Sequence, residues 1–367
     1  GGVDSSIIVG LMSQISPKPV KTFSIGFEEE DFSELNYANL VAKRFNTEHH
    51  EFTVKANFID ILPKIVWHYG QPYADPSAFP SYYVARETKK HVTVALNGDG
   101  GDETFGGYLR YKAMKGSIYF SLPFQILGKN ITEKIASLIP FKDKKYFRYL
   151  RRLVSALSEP AELRNIQWHC FFTNEEKEKL YADNMKKNLY NNCYEYLAGI
   201  FENAPAKNIM DRTFYTDIKA YLPECLLVKM DIASMANSLE ARSPFLDHKV
   251  MEFSASLPSA WKLHGLNTKY ILKKTFKNFL PKEILHRGKM GFGIPLGKWF
   301  RNDWKNYFGE TVLSENAIGR GYFKKESLEQ IFNEHISGKR DHGYRMWALL
   351  MLELWHNIYI DKEFNFI

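Results

Sequence analysis

The chain has 367 residues, 45% of them hydrophobic and 15% aromatic, enough for one large domain or two ordinary ones and too apolar for a disordered chain. Forty-nine basic residues against forty-two acidic give a net charge of +7. The excess is scattered in pairs such as Lys144-Lys145, Arg151-Arg152, Lys186-Lys187, Lys273-Lys274 and Lys324-Lys325, the pattern of solvated helix faces more than of a nucleic-acid-binding tract. Cys170, Cys193 and Cys225 lie far apart and suggest neither a disulfide framework nor a zinc site. No apolar run reaches the roughly eighteen residues of a membrane span and no signal peptide is present, so a cytoplasmic setting without membrane contact is expected.

The first stretch, Gly1-Gly2-Val3-Asp4-Ser5-Ser6, stands directly before an apolar run, Ile7-Ile8-Val9-Gly10-Leu11-Met12, that can continue as a helix. Unpaired backbone N–H groups at a helix head point at whatever sits there, and the helix dipole favours negative charge at that end. Gly1 and Gly2 let phosphate oxygens approach the main chain, Ser5 and Ser6 add donors, and Asp4 suits a carboxylate holding magnesium against phosphates. A Walker loop is excluded, because the GxxxxGK[ST] pattern is absent. On these residues alone, a glycine-rich turn capping an ordinary helix is an equally good reading.

Val20 to Phe27 alternates as a strand. Asp31 to Phe45 has helical spacing, with Ser33 as a candidate cap, and His49 to Val54 is a second strand. Neighbours on a strand point to opposite faces, which argues against a metal cluster at His49, His50 and Glu51. Helices are expected over Phe58 to Tyr69 and, after Pro72 and Pro76, over Ser77 to Lys90. His91 to Leu96 is a third, buried strand. Alternating strands and helices predict an α/β fold, a doubly wound parallel sheet with its strand ends on one rim. At that rim stands Asn97-Gly98-Asp99-Gly100-Gly101-Asp102-Glu103-Thr104-Phe105-Gly106-Gly107-Tyr108, with three carboxylates and five glycines in twelve residues. Packing them costs chain entropy and charge repulsion unless a cation or ligand compensates. Asp102, set beside Asp4, offers a second hard oxygen ligand for magnesium.

From Ser117 to about Tyr221 the sequence is helix-rich and aromatic, punctuated by Pro123, Pro140, Pro160 and Pro205. Leu222 to His248 begins with a helical face, Leu226, Met230 and Ala233, and turns near Pro244, where Glu240, Arg242 and Asp247 suggest a knot of ion pairs. In Arg287-Gly288-Lys289-Met290-Gly291-Phe292-Gly293-Ile294-Pro295, a lysine in a glycine-rich turn can approach a phosphate as a mobile point charge. The remainder reads as helices, with Trp347, Leu350, Leu354 and Trp355 in the core.

GGVDSS resembles the SGGxDS turn of the pyrophosphate-loop ATP pyrophosphatases. LNGDGGDETFGGYLRY, LLVKMDIASMANSLEARSPFLDH and RGKMGFGIP resemble, in the same order, signatures of the glutamine-hydrolysing asparagine synthetase family. Asn97 replaces the usual serine of that pattern, and Asp99 takes a position that is Glu or Asp in it. The resemblance covers nearly the whole chain and implies an adenine nucleotide alpha hydrolase-like core over 1–116, a helical insertion over 117–221, an active-site-completing segment over 222–300 and C-terminal helices over 301–367.

It implies ATP and Mg2+ as cofactors. ATP would meet Gly1, Gly2, Val3, Asp4, Ser5, Ser6, Asn97, Gly98 and the backbone of Ile25, magnesium would meet Asp4 and Asp102, and Asp99 and Lys289 would be catalytic. The implied reaction, that of a carbon–nitrogen ligase with glutamine as amido donor, forms an aspartyl-adenylate that ammonia converts to asparagine. The ammonia comes from glutamine in an N-terminal glutaminase domain expected outside these residues, as is the strand preceding Gly1. A homodimer is compatible with the resemblance. Two alternatives stay open, the same adenylation on another carboxylate such as a sugar uronate or a peptide side chain, and a non-catalytic nucleotide-binding module.

Overall fold

A computed structural model describes residues 1–139, 145–189 and 193–364. Pro140 and Lys144 lie outside the described residues, as do the side chains of Lys145 and Cys193. The described chain divides into two compact units: Gly1–Leu109 with Asp217–Pro295 and Trp355–Ile367, and Arg110–Thr216 with Leu296–Leu354.

The first unit carries the strands. Helix α1, Val3–Ile15, starts after an extended Gly2 (φ −82°, ψ 163°) with Asp4 in its first turn, where a carboxylate suits the positive end of the helix. Strand β1, Lys21–Phe27, leads through α2, Leu35–Phe45, to β2, Glu48–Val54. The two strands pair in parallel, with Lys21 opposite Glu48 and Phe27 opposite Val54. Ser33 is not the cap of α2, because Glu34 holds that position without a side-chain bond. At the other end Asn46 closes the helix in the left-handed region (φ 49°), a conformation asparagine tolerates better than most residues. A short 3-10 turn, Ala56–Ile61, leads into α3, Leu62–Tyr69; α4, Ala78–Lys89, follows.

The expected third strand is shorter than its sequence pattern, and it pairs elsewhere. The amides of His91 and Val92 still donate to Thr88 O at the end of α4, so β3 is only Val94–Leu96. Its partner is β4, Glu240–Arg242, in parallel, a segment whose charges had suggested an ion-paired turn. The Glu240–Arg242 ion pair is present at 2.6 Å, carried on this strand. Among the described residues there are thus two two-stranded parallel sheets, β1–β2 and β3–β4, not one continuous sheet. The unit is mixed α/β and mostly helical. Asp217–Leu227 is wound as a π-helix with Pro223 inside it and runs into α6, Val228–Met235; α5 is the short Gly101–Phe105. Proline supplies no N–H to a regular ladder, and wider turns of this kind recur at functional sites.

A hydrophobic cluster ties distant segments together beneath the site. Val3, Ile7 and Ile8 of α1 pack with Val41 of α2, Phe105, Phe245 and Leu272, Leu280, Ile284 and Leu285. The Phe105 and Phe245 rings meet edge to face, 5.9 Å apart. Burying side chains of this size stabilises by about 1.5–3 kcal/mol each, which is what brings residues 1–8, 97–105 and 240–290 to one place.

In the second unit every named element among the described residues is helical. Its core is aromatic: Trp299, Phe300, Trp304, Phe308 and Trp347 are wholly buried, and the Trp299 and Trp304 rings meet at a tilt of 50°, 4.7 Å apart. Arg345 holds Glu176 with two bonds of 2.6 and 2.7 Å. Leu350 and Leu354 are buried as expected; Trp355, which belongs to the first unit, is half-buried and donates to Gly70 O of that same unit. No helix of the described residues is long and apolar enough to cross a membrane.

Candidate active site

One cavity of about 860 Å3 in the first unit is lined by the head of α1, the β1 strand, the turn after β3 and the glycine-rich segment that carries Lys289, taking in Gly1, Gly2, Asp4, Ser5, Ser6, Ile25, Asn97, Gly98, Asp99, Asp102 and Lys289. Phe23 and Ser24 line it as well. Of the residues singled out in the sequence, Val3 alone is not in its wall; its side chain packs in the hydrophobic cluster. The serine hydroxyls are turned inward, Ser6 Oγ donating to Gly2 O at 2.7 Å and Ser5 Oγ to the same oxygen at 3.3 Å. They stitch the turn, which leaves its backbone N–H groups as the donors that face the cavity end of α1.

The acidic turn folds onto the first turn so closely that side chains would not fit. A Cβ on Gly98 would lie 2.9 Å from Asp4 Cβ, and one on Gly101 would lie 2.7 Å from Asp4 Cγ. A Cβ on Gly107 would overlap both Asp102 Oδ1 and Lys269 Cε. Glycines here serve close approach. The Asn97 side chain is committed within the protein: its Nδ2 donates to Asp99 Oδ2 at 2.8 Å and its Oδ1 accepts from Ser243 Oγ.

The centre of the site is an alternating set of charges. Lys269 Nζ donates to Asp4 Oδ2 and lies 2.7 Å from Asp102 Oδ1, and Lys289 Nζ donates to Asp102 Oδ2 at 2.5 Å. Asp4, Asp102 and Lys289, far apart in the chain, therefore form one connected group through Lys269. Burial alone would raise the Asp102 carboxyl, but Lys269 and Lys289 outweigh it and hold Asp102 well below its ordinary range. Burial alone would lower the Lys269 ammonium, but Asp4 and Asp102 more than offset that and hold it above its usual value. For Asp4 burial wins, raising its carboxyl against the pull of Lys269. Asp99 is also raised by burial, with Lys229 and then Lys289 opposing.

Asp4 Oδ1 is buried and accepts no hydrogen bond, and Asp102 Oδ1 faces Lys269 without hydrogen-bond geometry. Two carboxylates with spare lone pairs fit a magnesium ion, which takes one or two protein carboxylates and completes its shell with phosphate and water oxygens. Among the described residues no group of three or more His, Cys, Asp or Glu gathers for a metal, so a metal at Asp4 and Asp102 would depend on such outside oxygens.

Lys269 is absent from the sequence reading, which also gives Arg287 no role of its own. Lys269 sits in the left-handed region (φ 52°), a conformation costing of order 1 kcal/mol or more that persists where the surroundings over-determine it; the only sequence signal was a lysine at the head of an apolar helix, NTKYIL. Arg287 donates to Gly1 O at 2.9 Å, pairs with Glu34 and stacks on the Tyr37 ring at 4.0 Å. It clamps the turn from outside, and its proximity to Lys289 in RGK was the available clue.

The fold and site define a mixed α/β protein whose helix-head turn and acidic turn share one cavity with paired carboxylates and lysines. The profile of the asparagine synthase family matches residues 1–357. The chain is 32% identical over 375 residues to glutamine-hydrolyzing asparagine synthetase 1 of Bacillus subtilis, covering 99% of this chain and 56% of that protein. It is also 32% identical over 378 residues to a putative glutamine-hydrolyzing asparagine synthetase of Mycobacterium tuberculosis, covering 99% and 54%. The amidase chyE of Penicillium rubens is similar at 24% identity over 388 residues, covering 91% and 55%. The chain belongs to the asparagine synthase family. It spans about half the length of the curated relatives it matches.

Proposed function

We propose that this chain is the synthetase part of an enzyme that amidates aspartate at the expense of ATP, with ammonia delivered from glutamine hydrolysed in another domain. The observation that carries the proposal is the convergence of Asp4, Asp102, Lys269 and Lys289 at the head of α1. The α1 turn receives phosphate oxygens on its N–H groups, and the backbone of Ile25 receives the adenine. One carboxylate oxygen of the acceptor bonds to the α-phosphorus while the α–β P–O bond breaks, and pyrophosphate leaves with the electron pair. The nitrogen of ammonia then bonds to the acyl carbon, the C–O bond to AMP breaks, and the nitrogen sheds a proton.

Lys289, partly exposed and paired with Asp102, balances charge developing on the transferring phosphates. Asp99 holds the acyl-adenylate from the opposite turn. Asp4 and Asp102 would hold magnesium, which when bound neutralises phosphate charge. A second reading, the same chemistry on a different carboxylate, is supported by the relatives named amidases.

Pyrophosphate release by the full-length protein with ATP, ammonia and a panel of carboxylic acids tests both. Release with aspartate supports the first reading, and release only with another acid supports the second. A protein of confirmed fold that releases none with any acid would refute both.

A further inference from the structure

Of the lysines around the two acidic turns, Lys269 and Lys289 are already engaged by carboxylates. Lys269 is held between Asp4 and Asp102, and Lys289 is bound to Asp102. Lys229, in the second residue of α6, is different. Its side chain is only 9% exposed, it lines the cavity beside Asp99 and Met230, and its ammonium makes no hydrogen bond among the described residues. An ammonium has three donors and is costly to bury with none of them used. Its nearest carboxylate, Asp75 Oδ2, is 3.9 Å away, beyond hydrogen-bond reach.

That gap is built and held. Tyr69 donates to Lys229 O at 2.8 Å, and Tyr73 donates to Cys225 O at 2.6 Å in the π-helical turn before α6. The two tyrosine rings stack 4.6 Å apart. Asp75 Oδ1 is occupied by the Ser77 amide at 2.9 Å and its hydroxyl at 2.7 Å. Oδ2 therefore faces Lys229 and Cys225 Sγ, the latter 3.7 Å off, with no N–H or O–H donor on it among the described residues.

We infer that Lys229 and Asp75 form the recognition pair for the acceptor's amino-acid head, Lys229 binding its α-carboxylate and Asp75 its α-ammonium. Phosphate is the competing anion, but the α1 head, Lys269 and Lys289 already serve it, whereas Lys229 stands on the Asp99 side. The pair selects an amino acid over a plain dicarboxylate of the same length, since only the former supplies a cation for Asp75. This assignment rests on the function proposed above and deepens it.

The test is titration of the full-length protein with aspartate and with succinate by calorimetry, in the presence of a non-hydrolysable ATP analogue. Wild type is compared with Lys229→Met, Lys229→Gln and Asp75→Asn, with circular dichroism confirming the fold of each. Both Lys229 variants should weaken aspartate roughly 10- to 100-fold, the range of a lost charge-assisted hydrogen bond, and leave the nucleotide analogue within about twofold. Asp75→Asn should narrow the gap between aspartate and succinate. Unchanged aspartate affinity in both folded Lys229 variants, or an equal loss for the nucleotide, would overturn this assignment while leaving the wider function intact. Absence of aspartate binding by wild type overturns it too, and only the pyrophosphate panel then decides the wider function.

Discussion

Replacing Lys269 by Met keeps the length and apolar stem of the side chain and removes one buried charge. Asp4 and Asp102 are then balanced only by Lys289, whose side chain is 32% exposed and reaches Asp102 alone. Asp4, 7% exposed, loses the one ion-pair partner it has among the described residues. Breaking a buried pair in this way costs about 3–5 kcal/mol. Protonation sets a ceiling: keeping an Asp of ordinary pKa ~3.9 neutral at pH 7 costs about 4 kcal/mol, and about 1.5 kcal/mol at pH 5. A carboxyl whose folded pKa is raised contributes fully below its unfolded pKa and loses that contribution as pH rises. The variant's deficit should therefore be about 3–4 kcal/mol at pH 7 and shrink to roughly 1.5 kcal/mol at pH 5. Urea unfolding followed by circular dichroism at the two pH values, with EDTA present, measures it. A deficit below about 1 kcal/mol at pH 7, or one equal at both pH values, refutes the charge balance described here.

Lys289→Met should lower aspartate-dependent pyrophosphate release about 10²- to 10³-fold while moving the urea midpoint little, because Asp102 keeps Lys269; a loss under tenfold by pyrophosphate assay would remove Lys289 from the chemistry. Gly10→Ala should destabilise by about 1–3 kcal/mol through overpacking, since its Cβ would lie 2.7 Å from Phe45 Cζ and overlap the Phe279 ring. Gly199→Ala, with nothing within 4 Å, should instead stabilise by up to about 1 kcal/mol, and paired thermal melts report the difference in sign. His335 is wholly buried, accepts from His342 N at 2.9 Å, and burial pushes it down to about 4. A histidine depressed in this way gives its full stability above its unfolded value near 6.5 and loses it as pH falls toward 4. That loss, on the order of 3 kcal/mol, should flatten in His335→Gln when unfolding is followed by tryptophan fluorescence.

Local patterns made part of the fold legible. Alternation over Val20 to Phe27 and His49 to Val54 led to strands β1 and β2, and helical spacing led to α2 and α4, because each of these follows from short-range periodicity. β3 misled for the same reason. HVTVAL has the composition of a six-residue strand, yet the amides of His91 and Val92 are taken by Thr88 at the end of α4, a competition no periodicity reports. The pairing of β3 with Glu240–Arg242 joins segments nearly 150 residues apart, and charge-rich three-residue strands carry almost no pattern.

The site divides along the same line. Glycine and carboxylate density marks Gly1–Ser6 and Asn97–Tyr108, because backbone approach and clustered charge need those residue types wherever they occur in a chain. Lysine carries no comparable mark, being common on any surface. What distinguishes Lys269 and Lys229 is burial, and burial is decided by what packs over them: Asp4 and Asp102 in one case, the Tyr69–Tyr73 stack and the π-helical turn in the other. The two lysines do opposite work on the same cavity. Lys269 spends its charge inside the protein and fixes the distance between two carboxylates, while Lys229 keeps its donors for a ligand. Exchanging their surroundings, not their identities, would exchange their roles.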